Sequence, residues 1–199
     1  MSPRAIMALG FLLYNSVHYQ VIMYCYRRKT AMNLIGAVDN NWGIGLKGTL
    51  CAHIPGDLKH YHELTKDKIV VMGRRTLESL PSHILSNYSK IYVLTTHNIK
   101  NKKITTCNSL HELLCEELPI YNTDDIFVIG GEKVYSELLE YCDTAYITKI
   151  DYNYDVDAYM PNLDKLDTWE LTEETEPNTY FDLDYNFCVY KNSKPKNRG

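Results

Sequence analysis

The stretch Ile126-Phe127-Val128-Ile129-Gly130-Gly131-Glu132-Lys133-Val134-Tyr135 decides how the rest of the chain is read. An unbroken apolar run of β-favouring residues suits a strand buried on both faces. Two glycines end it, and a helical stretch follows at once, from Glu132 to about Glu140. A buried strand that passes through glycine straight into a helix is half of a strand–helix–strand unit. It predicts a largely parallel sheet covered by helices on both sides.

The same alternation extends in both directions. Ile69-Val70-Val71-Met72 is a second buried strand, closed by Gly73 and followed by a short helix from about Arg75 to Leu80. Leu34 to Val38 is a first strand, and Asp39 to Gly48, rich in Asn and Gly, reads as a loop. Pro55 then opens a helix to about Thr65, at a first-turn position where its missing N–H does no harm. Leu58, Tyr61 and Leu64 fall on one face of that helix. Ile91 to Leu94 is a third strand, and Ser109 caps a helix running to about Glu117. Ala145 to Ile150 and Tyr180 to Tyr190 are late strands with no helix between them, which predicts an antiparallel edge. The expected architecture is one α/β domain: a central mixed, mostly parallel sheet of about eight strands, an antiparallel C-terminal edge, and helices on both faces.

A chain of 199 residues with 45% apolar and 23% charged side chains holds one domain with a full core. The net charge is −4, and Arg4, Arg27, Arg28 and Lys29 precede any acidic residue, so the body of the chain carries 17 basic and 25 acidic groups. An acidic body excludes nonspecific nucleic-acid binding, which needs basic surface to displace phosphate counterions. The six cysteines show no paired spacing of the zinc or redox kind, so they read as reduced thiols. Residues 5–26 are mostly apolar, but Asn15, Ser16, His18 and Gln20 interrupt them, short of the roughly 20 apolar residues of a membrane span. Residues 1–31 are read as an extension outside the fold, with weak membrane association through residues 5–26 as the alternative. The core domain is expected over 32–191 and a flexible basic tail over 192–199.

Several residues carry chemistry. Asp57 stands in the first turn of the Pro55 helix, one residue before Leu58. A carboxylate there either answers the helix dipole or points into a cleft. Arg74-Arg75-Thr76 directly follows a strand and opens a helix, where phosphate is attracted to free N–H groups and arginine offers a forked donor. Gly130-Gly131 permits close approach of a ligand to the backbone, although it is not the six-residue dinucleotide fingerprint. His60 and His62 lie two apart on a helix and face different directions, so they read as solvated rather than as a metal pair. No metal is expected.

Taken in order and spacing, Ile44-Gly45-Leu46 with Ile54-Pro55-Gly56-Asp57-Leu58, then Val71-Met72-Gly73-Arg74-Arg75-Thr76, then Val128 to Tyr135, Ile147-Thr148-Lys149-Ile150 and Asp157-Ala158-Tyr159-Met160-Pro161 closely resemble the dihydrofolate reductase family, from about Asn33 to about Tyr190. The resemblance implies NADPH-dependent reduction of 7,8-dihydrofolate to 5,6,7,8-tetrahydrofolate, in one-carbon metabolism that supports thymidylate and purine synthesis. It implies a cytoplasmic monomer that also takes antifolates such as methotrexate or trimethoprim. Asp57 would grip N3 and the 2-amino group of the pterin and help N5 gain a proton, with Thr148 bonding the carboxylate. Residues 39–50 would form a closing loop with Leu50 as its apolar lid residue. Ile35, Ala37, Leu58, Tyr61, Leu80 and Ile129 would line the substrate pocket. NADPH would lie along Ala37, Ile44 and Gly45, on Gly73, Arg74, Arg75 and Thr76 with Thr95 and Thr96 at the 2′-phosphate, and along Ile129, Gly130, Gly131, Glu132, Lys133, Val134 and Tyr135. A cis peptide between Gly130 and Gly131 is implied as well.

Two departures stand out. Many family members carry Pro-Trp where this chain has Cys51-Ala52, and Cys51 reads as a small apolar filler rather than a nucleophile. The family arginine that clamps the folate glutamate has no counterpart in Leu85-Ser86-Asn87-Tyr88-Ser89-Lys90, which leaves Lys90, His83 or His62 as substitutes. Two alternatives compete with the main reading. A related pterin or pyrimidine reductase on the same fold would keep the cofactor motifs and change the substrate carboxylate. A non-catalytic relative would bind NADPH without consuming it.

Overall fold

The computed structural model describes residues 31–196. The predicted extension and its membrane alternative, residues 5–26, lie outside the described residues. Among the described residues, no helix is long and apolar enough to cross a membrane.

The sheet forms as the apolar runs predict. β1 (Met32–Val38), β4 (Ile69–Gly73), β5 (Lys90–Leu94), β7 (Ile126–Gly130) and β8 (Cys142–Ile150) make its centre. With β6 (Ile104–Cys107), β10 (Trp169–Glu174), β11 (Asn178–Tyr180) and β12 (Leu183–Asn192) they give a 9-stranded sheet in the order β10-β12-β8-β1-β7-β4-β5-β6, with β11 beside β12. β8, β1, β7, β4, β5 and β6 run parallel, and β12 and β10 add the antiparallel edge.

Alternation along each strand divides the core in two. Val70, Met72, Ile91, Val93, Phe127, Ile129 and Ile35 face helix α1 (Pro55–Thr65) and helix α2 (Arg74–Ser79). Val71, Tyr92, Val128 and Leu34 face helix α3 (Glu132–Leu138) and the turns around Leu113 and Leu118. This is the period of two that a sheet covered on both faces requires. Ser109 caps the segment 112–117 as expected, its Oγ accepting from the Glu112 N–H at 3.1 Å, but the segment is wound as a π-helix.

Two expectations are corrected. Residues 39–48 are not a plain loop: β2 (Gly43–Leu46) and β3 (Thr49–Leu50) form a hairpin that pairs with β9 (Ala158–Tyr159) in a separate 3-stranded sheet. Tyr180 to Tyr190 is two strands rather than one, with Phe181 at a φ of 53° in the turn between them. At the C-terminal end β12 runs to Asn192. The Lys196 N–H also donates to the Glu140 carbonyl at 2.6 Å, so the described part of the tail is held.

Candidate active site

Because β1, β4, β5, β7 and β8 run parallel, their C-terminal ends share one edge of the sheet, where open α/β folds place ligands. Three neighbouring strands put Ala37, Thr148 and Phe187 side by side: Ala37 pairs with Thr148 across β1 and β8, and Thr148 pairs with Phe187 across β8 and β12. Helix α1 lies over this row. Its first turn delivers Asp57 to the Thr148 side chain, which hydrogen-bonds the carboxylate. Gly56 makes the approach feasible, since a Cβ there would stand 2.2 Å from the Tyr185 hydroxyl.

Burial holds the Asp57 carboxyl above its ordinary value of 3.8, against the Thr148 bond and the charge of nearby His60, both of which pull it down. A carboxylate kept from water is poised to take up a proton. Tyr135 closes the site on the other side. Its hydroxyl donates to the Ile35 carbonyl at 2.7 Å, and its ring fills the space left by Gly36 and Gly130. Burial, and secondarily the charge of Asp57, pushes its phenol well above 10.0, so it stays a neutral donor. Ile35 and Ile129 are buried in the wall between Asp57 and the glycines, and Leu80 packs against them half-buried. Leu58 is half-buried beside Asp57. Tyr61 is turned toward the core, its hydroxyl 2.8 Å from that of Tyr88.

The glycine segment forms a cradle. Gly130 has a φ of +112°, and the Gly130-Gly131 peptide is cis. A Cβ on Gly130 would meet the Tyr135 ring at 2.9 Å, one on Gly131 would sit 3.3 Å from Thr76 Oγ1, and one on Gly73 would sit 3.2 Å from the Val134 side chain. The N-termini of α2 and α3 therefore meet here, and neither has a side-chain cap. Uncapped N–H groups at two helix starts, brought together by glycines that leave no room for side chains, are a fitting receptacle for a diphosphate. Arg75 is exposed beside it. Arg74 is paired with Glu78 at 2.6 Å along its own helix, so its fork is already engaged. Thr95 Oγ1 accepts from the His97 N–H at 3.1 Å in the turn after β5, and Thr96 is exposed. Glu132 and Lys133 point outward, Lys133 toward Glu137 at 3.6 Å, so only their backbone faces the cradle.

The hairpin of β2 and β3 overhangs the cleft. Its base is tied by Asp39, whose buried carboxylate accepts from the N–H groups of Asn41 (2.9 Å), Gly43 (2.7 Å) and Tyr154 (3.0 Å). Trp42 is buried in the core, and the Met160 N–H donates to its carbonyl at 2.9 Å. Ile44 packs on the same core, while Gly45 lies so close to Thr49 that a Cβ would stand 2.3 Å from the Thr49 carbonyl oxygen. The hairpin's far side is bare: Leu50 is 53% exposed. Cys51 is half-buried, and burial together with Asp39 pushes its thiol up to about 11, which suits a filler and not a nucleophile.

The histidines and the lysine are placed differently from expectation. Lys90 shares a strand face with Tyr92, lying over its ring at 5.7 Å, on the side of the sheet opposite α1, so it does not reach the substrate side. His83 is exposed. His60 is not simply solvated: its ring stacks on Phe187 with centroids 4.1 Å apart. His62 Nδ1 is buried without a hydrogen-bond partner. The roles of Asp39, Trp42 and His60 were absent from the sequence reading. Tyr154, Met160 and Phe187, which they meet, lie far along the chain, and the local signals are the Asn41 and Gly43 N–H groups beside Asp39 and the spacing of three between Asp57 and His60.

The chain matches the family model described as dihydrofolate reductase over residues 31–192. It is 30% identical over 175 residues to a dihydrofolate reductase of Bacillus subtilis (strain 168), covering 84% of this chain and 98% of that one. A dihydrofolate reductase of Enterococcus faecium is 35% identical over 144 residues, covering 70% and 83%. A protein named dihydrofolate reductase type 9 of Escherichia coli is 29% identical over 171 residues, covering 83% and 95%.

Proposed function

Because the chain belongs to the dihydrofolate reductase family, an NADPH-dependent oxidoreductase family that reduces 7,8-dihydrofolate to 5,6,7,8-tetrahydrofolate, we propose that Asp57 is its proton-handling group and that the glycine cradle holds the cofactor. The observation that carries this reading is the convergence on one carboxylate. Asp57 bonds Thr148 on one side and lies within electrostatic reach of Tyr135, the residue that packs on Gly130, on the other.

Reduction adds a hydride to C6 and a proton to N5 of the pterin. NADPH, when bound, supplies the hydride. Asp57 accepts the hydrogens of N3 and the 2-amino group in bidentate fashion, which orients the pterin with C6 toward the glycine wall. Its raised proton affinity lets it hold a proton near the ring until N5 takes it. Thr148 fixes the carboxylate's rotamer. Ile35, Ala37, Leu58, Leu80 and Ile129 give the apolar walls, with Tyr61 behind them. Gly73, Thr76, Gly130, Gly131 and the first N–H groups of α3 hold the diphosphate. Arg75, Thr95 and Thr96 take the 2′-phosphate, with Arg74 joining if its pair with Glu78 opens. Val134 and Tyr135 back the nicotinamide side, and Ile44, Gly45 and Leu50 close over it, excluding water. The catalytic unit spans 32–191, acts as a monomer whose cleft comes from one chain, and works in the cytoplasm. Methotrexate and trimethoprim compete at Asp57.

The test is NADPH oxidation with dihydrofolate. Asp57→Asn is expected to lower turnover at pH 7 by about 10²-fold or more. Activity should partly return at acidic pH, where the substrate arrives protonated. An Asn variant with wild-type rates across pH removes Asp57 from the mechanism.

A further inference from the structure

We propose that His60 is a positioning residue for the proton step: it forms with Asp57 a two-group proton site, in which the imidazole on the outer side sets how readily the inner carboxylate is protonated. The inference rests on the reading of Asp57 given above and adds to it a second titrating group that is specific to this chain's residues.

The geometry comes from two matched contacts. Asp57 and His60 are three apart on α1, so their Cβ atoms lie about 5–6 Å from one another on one helix face. Below them, Thr148 and Phe187 are directly opposite on β8 and β12, so their side chains share one sheet face. Asp57 seats on Thr148, and His60 stacks on Phe187 at 4.1 Å between centroids. Each helix residue is thus pinned to its own strand residue, and the pair is held in register. Ala52, at the end of the hairpin segment, packs half-buried in the small cluster of Ile54, Ile150, Tyr185 and Phe187. Its methyl group brings no polar atom to this wall, where the Tyr185 hydroxyl lies against Gly56 and the His60 ring lies on Phe187.

Burial pulls the His60 imidazole below its ordinary 6.5, and the charges that oppose it are Asp57 and then Glu63, both on its own helix. Glu63 is itself paired with Lys59 at 3.8 Å and well exposed, which weakens its influence. The strand packed against the ring presents Phe187, and the strand beyond presents Thr148, neither of which titrates near neutrality. Asp57 is felt in addition by Cys51 and Tyr135, both neutral at working pH. Asp57 and His60 therefore face one another as the two active titrating groups of the wall. A proton on the imidazole holds the carboxylate charged, and the carboxylate's charge holds the proton on the imidazole. Their protons belong to the pair rather than to either residue. A half-buried imidazole on the outer side also lets that proton exchange with solvent while the carboxylate stays covered.

The experiment has two arms on the full chain. His60→Phe keeps a ring on Phe187 and removes both nitrogens. Its pH–rate profile for dihydrofolate reduction is expected to move to higher pH by on the order of half a unit or more, since the charged form of Asp57 loses its positive neighbour. The second arm follows the His60 imidazole by NMR without ligands, in wild type and in Asp57→Asn. It is expected to titrate at lower pH in the Asn variant, because the anion that held its proton is gone. A superimposable rate profile for both His60→Phe and His60→Gln, or an unchanged His60 titration in Asp57→Asn, overturns the proposal. Neither result touches Asp57's own role, which falls only if Asp57→Asn turns over like wild type.

Discussion

The floor of the cleft and the hairpin above it are built on opposite plans. The floor sets Ala37, Thr148 and Phe187 on three adjacent strands, pressed under α1, with Asp57 bonded to the middle one. Everything there is fixed by ladder hydrogen bonds and by burial. The hairpin is tied at its base by Asp39 and Trp42, along β2 by β9, and at its turn by the Asp157 carboxylate, which accepts from the Lys47 N–H at 3.0 Å, while the side chains of Leu46 and Leu50 project with 38% and 53% of their surface exposed. The difference suits the separate jobs proposed for the two regions. Proton chemistry needs a fixed carboxylate in dry surroundings, and closure needs an apolar tip free to move onto a ligand. Damage to the floor should alter the pH dependence of the reaction, and damage to the hairpin tip should alter rate without altering stability.

The largest effect is expected at Asp57, and it has two signs. Besides losing about 10² or more in turnover, Asp57→Asn should melt higher than wild type at pH 7. The carboxyl binds its proton more tightly folded than unfolded, where its value is the ordinary 3.8. Between that value and the raised one, the folded state holds more protons, so stability falls as pH rises through the window. The penalty is in full force above the raised value and absent below 3.8. The melting advantage of the Asn variant, followed by calorimetry, should therefore narrow as pH falls toward 3.8. An advantage constant with pH would mean that burial does not disfavour the charge.

Next comes the hairpin base. Asp39→Ala strands three N–H groups that its carboxylate now accepts from, two of them in the turn and one from Tyr154. Loss of a buried acceptor costs about 1–3 kcal/mol, which chemical denaturation would register as an earlier midpoint. An unchanged midpoint would show that the turn holds itself. Thr148→Val is of similar shape and removes only the hydroxyl on Asp57. With one charge-assisted bond gone, kcat/KM should fall by about tenfold. The pH–rate profile should shift upward, because that bond favours the ionised carboxylate.

The two regions were not equally legible in the sequence. The floor's strands announce themselves, because strands covered on both faces are nearly continuous apolar runs such as Ile126 to Ile129. Helix α1 begins at Pro55 and ends at Thr65, where the sequence reading put it. Asp57 and Gly130-Gly131 were found by motif, and the structure brings them to one cleft. Edge elements were missed. Trp169 to Glu174 carries three glutamates on an outer strand, and Ile104 to Cys107 is a short edge strand with two threonines, so neither shows a buried run. The hairpin's glycines signal a loop locally, and β2 is completed by β9, which pairs with it from more than 100 residues away. His60 was misread for the same reason, since Phe187 is contributed by the far end of the chain. What depends on distant pairing leaves little trace in a local pattern.

The smallest effect, and the one that best separates the two plans, is expected at the hairpin tip. Leu50 is 53% exposed and lies on a strand of two residues, so Leu50→Ala removes little buried surface. Unfolding free energy should stay within about 0.5 kcal/mol of wild type. Turnover should nevertheless drop a few-fold, on the order of 1 kcal/mol or less in the barrier, because an alanine covers less of the closed site and admits water to it. The shape of the pH–rate profile should not move, since no group near Asp57 has changed. Steady-state kinetics and a denaturation curve on the same sample decide the matter. A stability loss matching the rate loss would make the tip a structural brace, and a displaced pH profile would mean that the hairpin reaches into the proton site from above.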